Sequence, residues 1–185
     1  MLQDILFAIW FLLPAAASNA APVFSAAIPA LKKFDAPIDG GKKLWGHRIF
    51  GAHKTWRGII SGIIVATILL AGQQFLFANF EWVKFVSGGV DYASLPTLIL
   101  GPLFAIGALG GDAIESFFKR QQGIKSGGKW IPFDQVDYII GTILISLFFV
   151  ILTPLQYVLM LVVWFFVHIL STFIGYKLGL KKDPI

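Results

Sequence analysis

Between Asp137 and Lys177 the chain carries no Asp, Glu, Lys or Arg, and similar uncharged runs separate Asp4 from Lys32, Arg57 from Glu81 and Asp91 from Asp112. A membrane-spanning helix needs about 20 predominantly apolar residues, so each run can supply one and the longest can supply two. The chain therefore reads as an all-α polytopic membrane protein, a single integral-membrane domain over residues 1–185, with five transmembrane helices at roughly 5–30, 58–79, 95–118, 137–154 and 156–176. A hydrophobic content of 57% and a mean hydropathy of +0.77 exclude an ordinary soluble domain. The absence of cysteine excludes disulfides, thiolate nucleophiles and cysteine-based metal centres.

An odd number of spans places the termini on opposite sides. Lys and Arg are retained in cytoplasmic loops, and all but Lys84 of the fifteen agree with an N-out, C-in topology. Lys32, Lys33, Lys42, Lys43, Arg48, Lys54 and Arg57 then lie in one basic cytoplasmic loop, Lys119, Arg120, Lys125 and Lys129 in a second, and Lys177, Lys181 and Lys182 in the tail. Two features complicate the first span. Ala15 to Ala21 offers small residues like those of a signal-peptide cleavage site, although the segment before it has no Lys or Arg and carries Asp4. Pro14 and Pro22 predict a kinked span rather than a straight one, or a re-entrant segment, with Asn19 between them available to satisfy freed backbone groups. Thr153-Pro154 marks a tight turn between the last two spans, and His168 reads as a packing residue.

The chemistry is concentrated between Gly111 and Asp137. A carboxylate carried to the centre of a bilayer costs roughly 2.5 to 3.5 kcal/mol, so Asp112 at the end of an apolar run calls for a compensating cation. If the third span stays helical, Asp112, Glu115, Ser116 and Lys119 share one face, at i, i+3, i+4 and i+7. Gly107, Gly110 and Gly111 would let a helix or ligand approach that span closely. Asp134 and Asp137 open the fourth span at the same membrane face. Carboxylates converging there suit Mg2+, which completes its shell with water and phosphate oxygens. Between the acids, Lys119, Arg120, Lys125, Gly127, Gly128 and Lys129 form a basic, glycine-bearing loop fit for phosphate, a theme that recurs in Asp39-Gly40-Gly41-Lys42-Lys43 and in Gly51 to Gly58. Plainer readings exist for each group: an ion pair of Asp112 with a first-loop lysine, a Glu115–Lys119 pair, helix capping by Asp134 and Asp137, and a solvated basic loop attracting anionic lipid. No Walker pattern is present.

Gly111-Asp112, Glu115-Ser116, Lys119-Arg120, Gly123 and Lys125, followed by Asp134 and Asp137, resemble the signature of membrane CTP:phosphatidate cytidylyltransferases, and Lys54-Thr55 resembles that family's shorter upstream motif. The chain is more similar to the small archaeal-type branch, the CDP-archaeol synthases. It shares with them its length, five spans, Lys54-Thr55-Trp56-Arg57-Gly58, the Pro132-Phe133-Asp134-Gln135-Val136-Asp137 segment and the Pro14, Asn19, Pro22 pattern. It lacks a His-Gly-Gly before the acid pair and an Arg after Asp134, and has Arg57 where the phosphatidate branch carries an acid, which makes phosphatidate the less favoured acceptor.

The resemblance implies a Mg2+-dependent cytidylyltransferase of phospholipid biosynthesis, multi-pass in the cell membrane with its active site facing the cytoplasm. It would transfer CMP from CTP to a membrane-embedded lipid phosphate, an unsaturated archaeal ether lipid, releasing pyrophosphate. Asp112, Asp134 and Asp137 would ligate the metal, with Glu115 a further candidate. Lys119 would act with those aspartates in catalysis, while Lys54, Thr55, Arg57, Ser116, Arg120, Lys125 and Gly128 would bind nucleotide or lipid phosphate. Asn19 and the small residues of the first span would border the lipid entrance. The implied partners are CTP, the lipid phosphate, the bilayer and a second copy in a homodimer, with no nucleic acid. The rivals are a phosphatidate cytidylyltransferase, a CDP-alcohol phosphotransferase, an ion-coupled transporter or channel and a structural subunit; the acids lie near span ends and no repeat is visible, which disfavours a transporter.

Overall fold

Pro14 cannot donate a backbone hydrogen bond to the carbonyl of Trp10, yet in the computed structural model both Pro14 and Pro22 lie within one uninterrupted helix, α1 (Leu2–Ser25). The freed carbonyl is satisfied from outside: Gln73 Nε2 of the next long helix donates to Trp10 O at 2.6 Å. The span expected at 5–30 thus ends at Ser25, and Pro29–Phe34 forms a separate 3-10 turn. Replacing Gln73 with Met, which keeps the volume but removes the donor, should destabilise the protein by about 1–3 kcal/mol, read as a lower unfolding temperature in detergent. An unchanged melting temperature would mean that the carbonyl finds another donor.

The structure describes residues 1–125, 128–177 and 179, so the expectations placed on Gly127, Lys181 and Lys182 lie outside the described residues. After α1 come a short antiparallel hairpin, β1 (Lys43–Leu44) and β2 (His47–Arg48), then α2 (Trp56–Asn79), the short α3 (Glu81–Val86), α4 (Thr97–Gln121), α5 (Phe133–Ser146) and α6 (Pro154–Lys177). Among the described residues, α1, α2, α4 and α6 are long and apolar enough to cross a membrane. The expected span 137–154 is occupied by α5, whose 14 residues are too few on their own, and by the non-helical segment that follows it. At about 1.5 Å per residue, α5 covers only ~21 Å of a hydrocarbon core of ~30 Å. The turn at Thr153-Pro154 is where expected. A reciprocal cap builds it: Thr153 N donates to Gln156 Oε1 at 2.9 Å, Gln156 N donates to Thr153 Oγ1 at 3.3 Å, and Pro154 occupies the first helical position.

The core gathers Phe7, Phe11 and Leu12 of α1, Leu70 of α2, Leu100 and Phe104 of α4, Ile139 of α5 and Met160 and Trp164 of α6. Trp164 Nε1 donates to Ala8 O at 2.8 Å, tying α6 to α1. His168 packs its ring against Tyr138 at 6.1 Å between centroids, in the packing role its sequence context suggests.

The α4–α5 contact positions the chemistry. A Cβ on Gly111 would lie 2.3 Å from the backbone oxygen of Asp137, and one on Gly141 would lie 2.1 Å from that of Gly107. The two helices therefore touch backbone to backbone, as small residues permit in membrane bundles. Gly107 and Gly111 serve helix packing as expected, while Gly110 has no atom within 4 Å of its Cβ position.

The first basic loop is organised around Asp39. Its buried carboxylate accepts from Arg48 and from the backbone N–H groups of Gly41, Phe50 and Gly51. Burial alone would raise its pKa, but Arg48 and the three N–H groups outweigh that and hold it well below the usual carboxylate range. Both ends of the hairpin are thus fastened to one side chain. At its tip Trp45 and Gly46 have φ of 50° and 84°, the left-handed pair of a type I′ turn. That conformation costs a non-glycine residue about 1–2 kcal/mol.

Candidate active site

Two helices supply the acids, and their register decides which acids meet. Asp112, Glu115, Ser116 and Lys119 occupy one face of α4, as their spacing predicts, and all four line a cavity of about 240 Å3 with Phe50, His53, Lys54, Arg120 and Asp134. Because Gly111 lies against Asp137, the Asp137 carboxylate comes level with Asp112 and Glu115. One oxygen from each of Asp112, Glu115 and Asp137 falls within 4.8 Å of the others. Asp134, a turn farther out on α5, comes level with Lys119 and accepts from its Nζ at 2.5 Å and from Trp130 N at 2.5 Å. From sequence, Asp112, Asp134 and Asp137 are the expected ligands and Glu115 a further candidate; the geometry groups Glu115 with Asp112 and Asp137 and gives Asp134 an ion-pair partner.

The plainer readings are realised in part. Lys54 forms an ion pair with Asp112, joining the loop before α2 to α4. Lys119 Nζ also lies 3.4 Å from Glu115 Oε1. Capping does not account for the α5 acids. Pro132 occupies the cap position, which leaves Asp134 inside the first turn, and Asp137 accepts from Tyr138 N, one residue away.

Three carboxylates from two helices converge, with Asp134 beside them; Lys54 pairs with Asp112, and Lys119 is shared between Glu115 and Asp134. Two lysines do not neutralise four carboxylates, and an all-oxygen cluster with excess negative charge suits a hard divalent cation, so these residues fit such an ion.

Two further cavities adjoin this one. The first, about 330 Å3, is walled by Asn19, Pro22 and Val23 of α1, Gly58 and Ile59 of α2 and Ile106, Leu109, Gly110 and Ala113 of α4, and it shares His53, Lys54 and Asp112 with the polar cavity. The second, about 370 Å3, joins Lys43, His47 and Arg48 of the hairpin to Arg120, Gly123 and Lys125, and it shares Arg120 with the polar cavity. An apolar chamber, an acid–base centre and a cationic chamber thus follow one another, with common walls.

Of the remaining expected site residues, Asn19 lines the apolar chamber. Thr55 lines it too, and also caps α2 by accepting from Gly58 N at 3.2 Å. Ser116 lines the polar cavity, and Arg120 and Lys125 the cationic one. Arg57 pairs with Asp35 at 3.0 Å, and the backbone N–H of Gly128 donates to Lys125 O at 2.9 Å; neither residue lines any of the three chambers. The sequence reading missed His47, Arg48, Phe50 and His53 as wall residues. Their only signal was membership of a basic, glycine-bearing loop, because the hairpin that aims them is two residues per strand and has no readable period.

The chain matches the family model described as "CarS-like: CDP-archaeol synthase" over residues 1–185. It is 37% identical to a CDP-archaeol synthase of Thermococcus onnurineus over 99% of this chain and 98% of that one. It is 41% identical to one from Methanospirillum hungatei over 80% and 89% respectively, and 34% identical to one from Methanocaldococcus jannaschii over 98% of each. A solved structure described as an intramembrane enzyme for archaeal membrane lipids biosynthesis superposes with a TM-score of 0.69 at 26% identity, covering 89% of this chain and 91% of that one. The site residues lie inside the matched region, and on these grounds the chain belongs to the CDP-archaeol synthase family.

Proposed function

We propose that the chain transfers the CMP moiety of CTP to the phosphate of an unsaturated archaeal ether lipid, forming CDP-archaeol and pyrophosphate. One observation carries this reading: the carboxylate and lysine centre lies where an apolar chamber opening between helices meets a cationic chamber. A lipid phosphate and a nucleotide triphosphate can then approach the same residues from two sides.

In the reaction a lipid phosphate oxygen attacks the α-phosphorus of CTP; a P–O bond forms to the lipid, the α–β bridging bond breaks, and its electron pair leaves on pyrophosphate. The nucleophile is already an anion and needs no general base, so positioning and charge neutralisation supply the rate. Lys54, shared by the apolar and polar chambers, meets the lipid phosphate and orients Asp112. Lys119, held between Glu115 and Asp134, faces the transferring group. Arg120, Lys125 and Arg48 neutralise the triphosphate from the cationic chamber. Asp112, Glu115 and Asp137 would hold Mg2+, which when bound offsets charge on the phosphates and the leaving pyrophosphate.

We further read α5 with its following segment as a short fifth span, which gives the N-out, C-in topology and a cytoplasmic site open to soluble CTP. The test is a purified-protein assay with labelled CTP, Mg2+ and a panel of lipid phosphates, scored for a CDP-lipid. No nucleotide-dependent product with any acceptor would sink the reading. Substrate assignment is tested separately. Ile59→Trp, which fills the apolar chamber, should raise KM for the lipid phosphate about tenfold while leaving KM for CTP unchanged, as loss of uniform binding requires.

A further inference from the structure

We propose that the tip of the β1–β2 hairpin, Leu44 and Trp45 carried on Lys42 and Lys43, docks against the anionic headgroup layer of the surrounding bilayer. A type I′ turn favours Asn-Gly because both central residues need positive φ, and here the first of them is Trp45. Conformation therefore argues against tryptophan at this position. Packing offers no reason either, since Trp45 is 77% exposed and its neighbour Leu44 is 38% exposed. A bulky ring held in an unfavourable conformation and buried against nothing among the described residues has its partner elsewhere.

Charge and position identify that partner. Lys42 and Lys43 are exposed, and the nearby acid, Asp39, is buried and already paired with Arg48, so the tip presents uncompensated positive charge. The β2 strand packs on α4, and its His47 and Arg48 share a chamber with Arg120. Arg120 lies about 35 Å along α4 from Thr97 at ~1.5 Å per residue, beyond a hydrocarbon core of ~30 Å, so the hairpin sits at headgroup level. Tryptophan is enriched at that level, and lysines near it are attracted to anionic lipid. The nucleotide is the weaker partner: Lys43, Gly46, His47 and Arg48 line the cationic chamber, but Trp45 does not.

The chain has no cysteine, so Leu44→Cys introduces a single thiol for a spin label in the full-length protein. In nanodiscs containing phosphatidylserine, the label should be accessible to oxygen and shielded from a water-soluble nickel chelate, and the shielding should weaken in phosphatidylcholine alone. Trp45→Asn in the same background suits the turn better and removes the ring. It should leave the melting temperature in detergent unchanged or raised while increasing nickel accessibility several-fold in the anionic nanodisc. A label equally open to nickel in both lipids, or unaffected by Trp45→Asn, overturns the proposal. Shielding that instead requires CTP and occurs equally in detergent assigns the tip to the nucleotide and overturns it as well.

Discussion

Asp112→Asn should lower kcat by about a hundred- to a thousandfold while the protein still inserts and purifies, the range expected when one group stabilising phosphate charge is lost. Asp112 belongs to the carboxylate triad, pairs with Lys54, and lies on the wall shared by the apolar and polar chambers. The informative measurement is kcat at saturating CTP across a Mg2+ titration. Asp112→Asn and Asp137→Asn should each move the titration midpoint to higher Mg2+. Asp134→Asn should leave the midpoint in place and alter KM for CTP, because it frees Lys119 rather than removing a ligand. Wild-type turnover in Asp112→Asn would reduce this carboxylate to an ion-pair partner of Lys54. A midpoint that moves with Asp134 and not with Glu115 would restore the ligand set expected from sequence.

The second large effect is steric. Gly111→Val places a Cβ 2.3 Å from the backbone oxygen of Asp137, where no side-chain rotation can relieve the clash. The α4 and α5 backbones must separate, which costs about 1–3 kcal/mol or more as overpacking. The triad spans those two helices, so turnover should fall more than tenfold even at temperatures where the variant remains folded. Gly72→Ala is the control: its Cβ position has no neighbour within 4 Å, so the change should be stabilising by up to about 1 kcal/mol, with full activity. Full turnover in Gly111→Val would show that the close α4–α5 contact is not what positions Asp137.

The one-face spacing of Asp112, Glu115, Ser116 and Lys119 was legible because a helix repeats every 3.6 residues and α4 runs unbroken through the site. The apolar runs announced the long helices for the same local reason, and the Thr153-Pro154 turn carried its own capping residues. The expected 137–154 span was less well read, because composition marks where a chain avoids water and does not say where helical hydrogen bonding stops. Arg57 lay beside recognisable motif residues, yet its guanidinium turns to Asp35, a partner that no spacing rule identifies.

Sequence by itself determined that this chain lives in a membrane, that its acids and bases collect at span ends, and which family it resembles, since each follows from local composition, helical period or motif. Tertiary structure alone decided the company each acid keeps. Gly111 and Gly141 let α4 and α5 meet backbone to backbone, and that register brings Glu115 to Asp112 and Asp137 while leaving Asp134 to Lys119. The helical period fixes which residues share a face of one helix. Only the packing of two helices fixes their levels relative to each other, and a shift of one turn, ~5.4 Å, exchanges a member of the carboxylate cluster for an ion-pair partner.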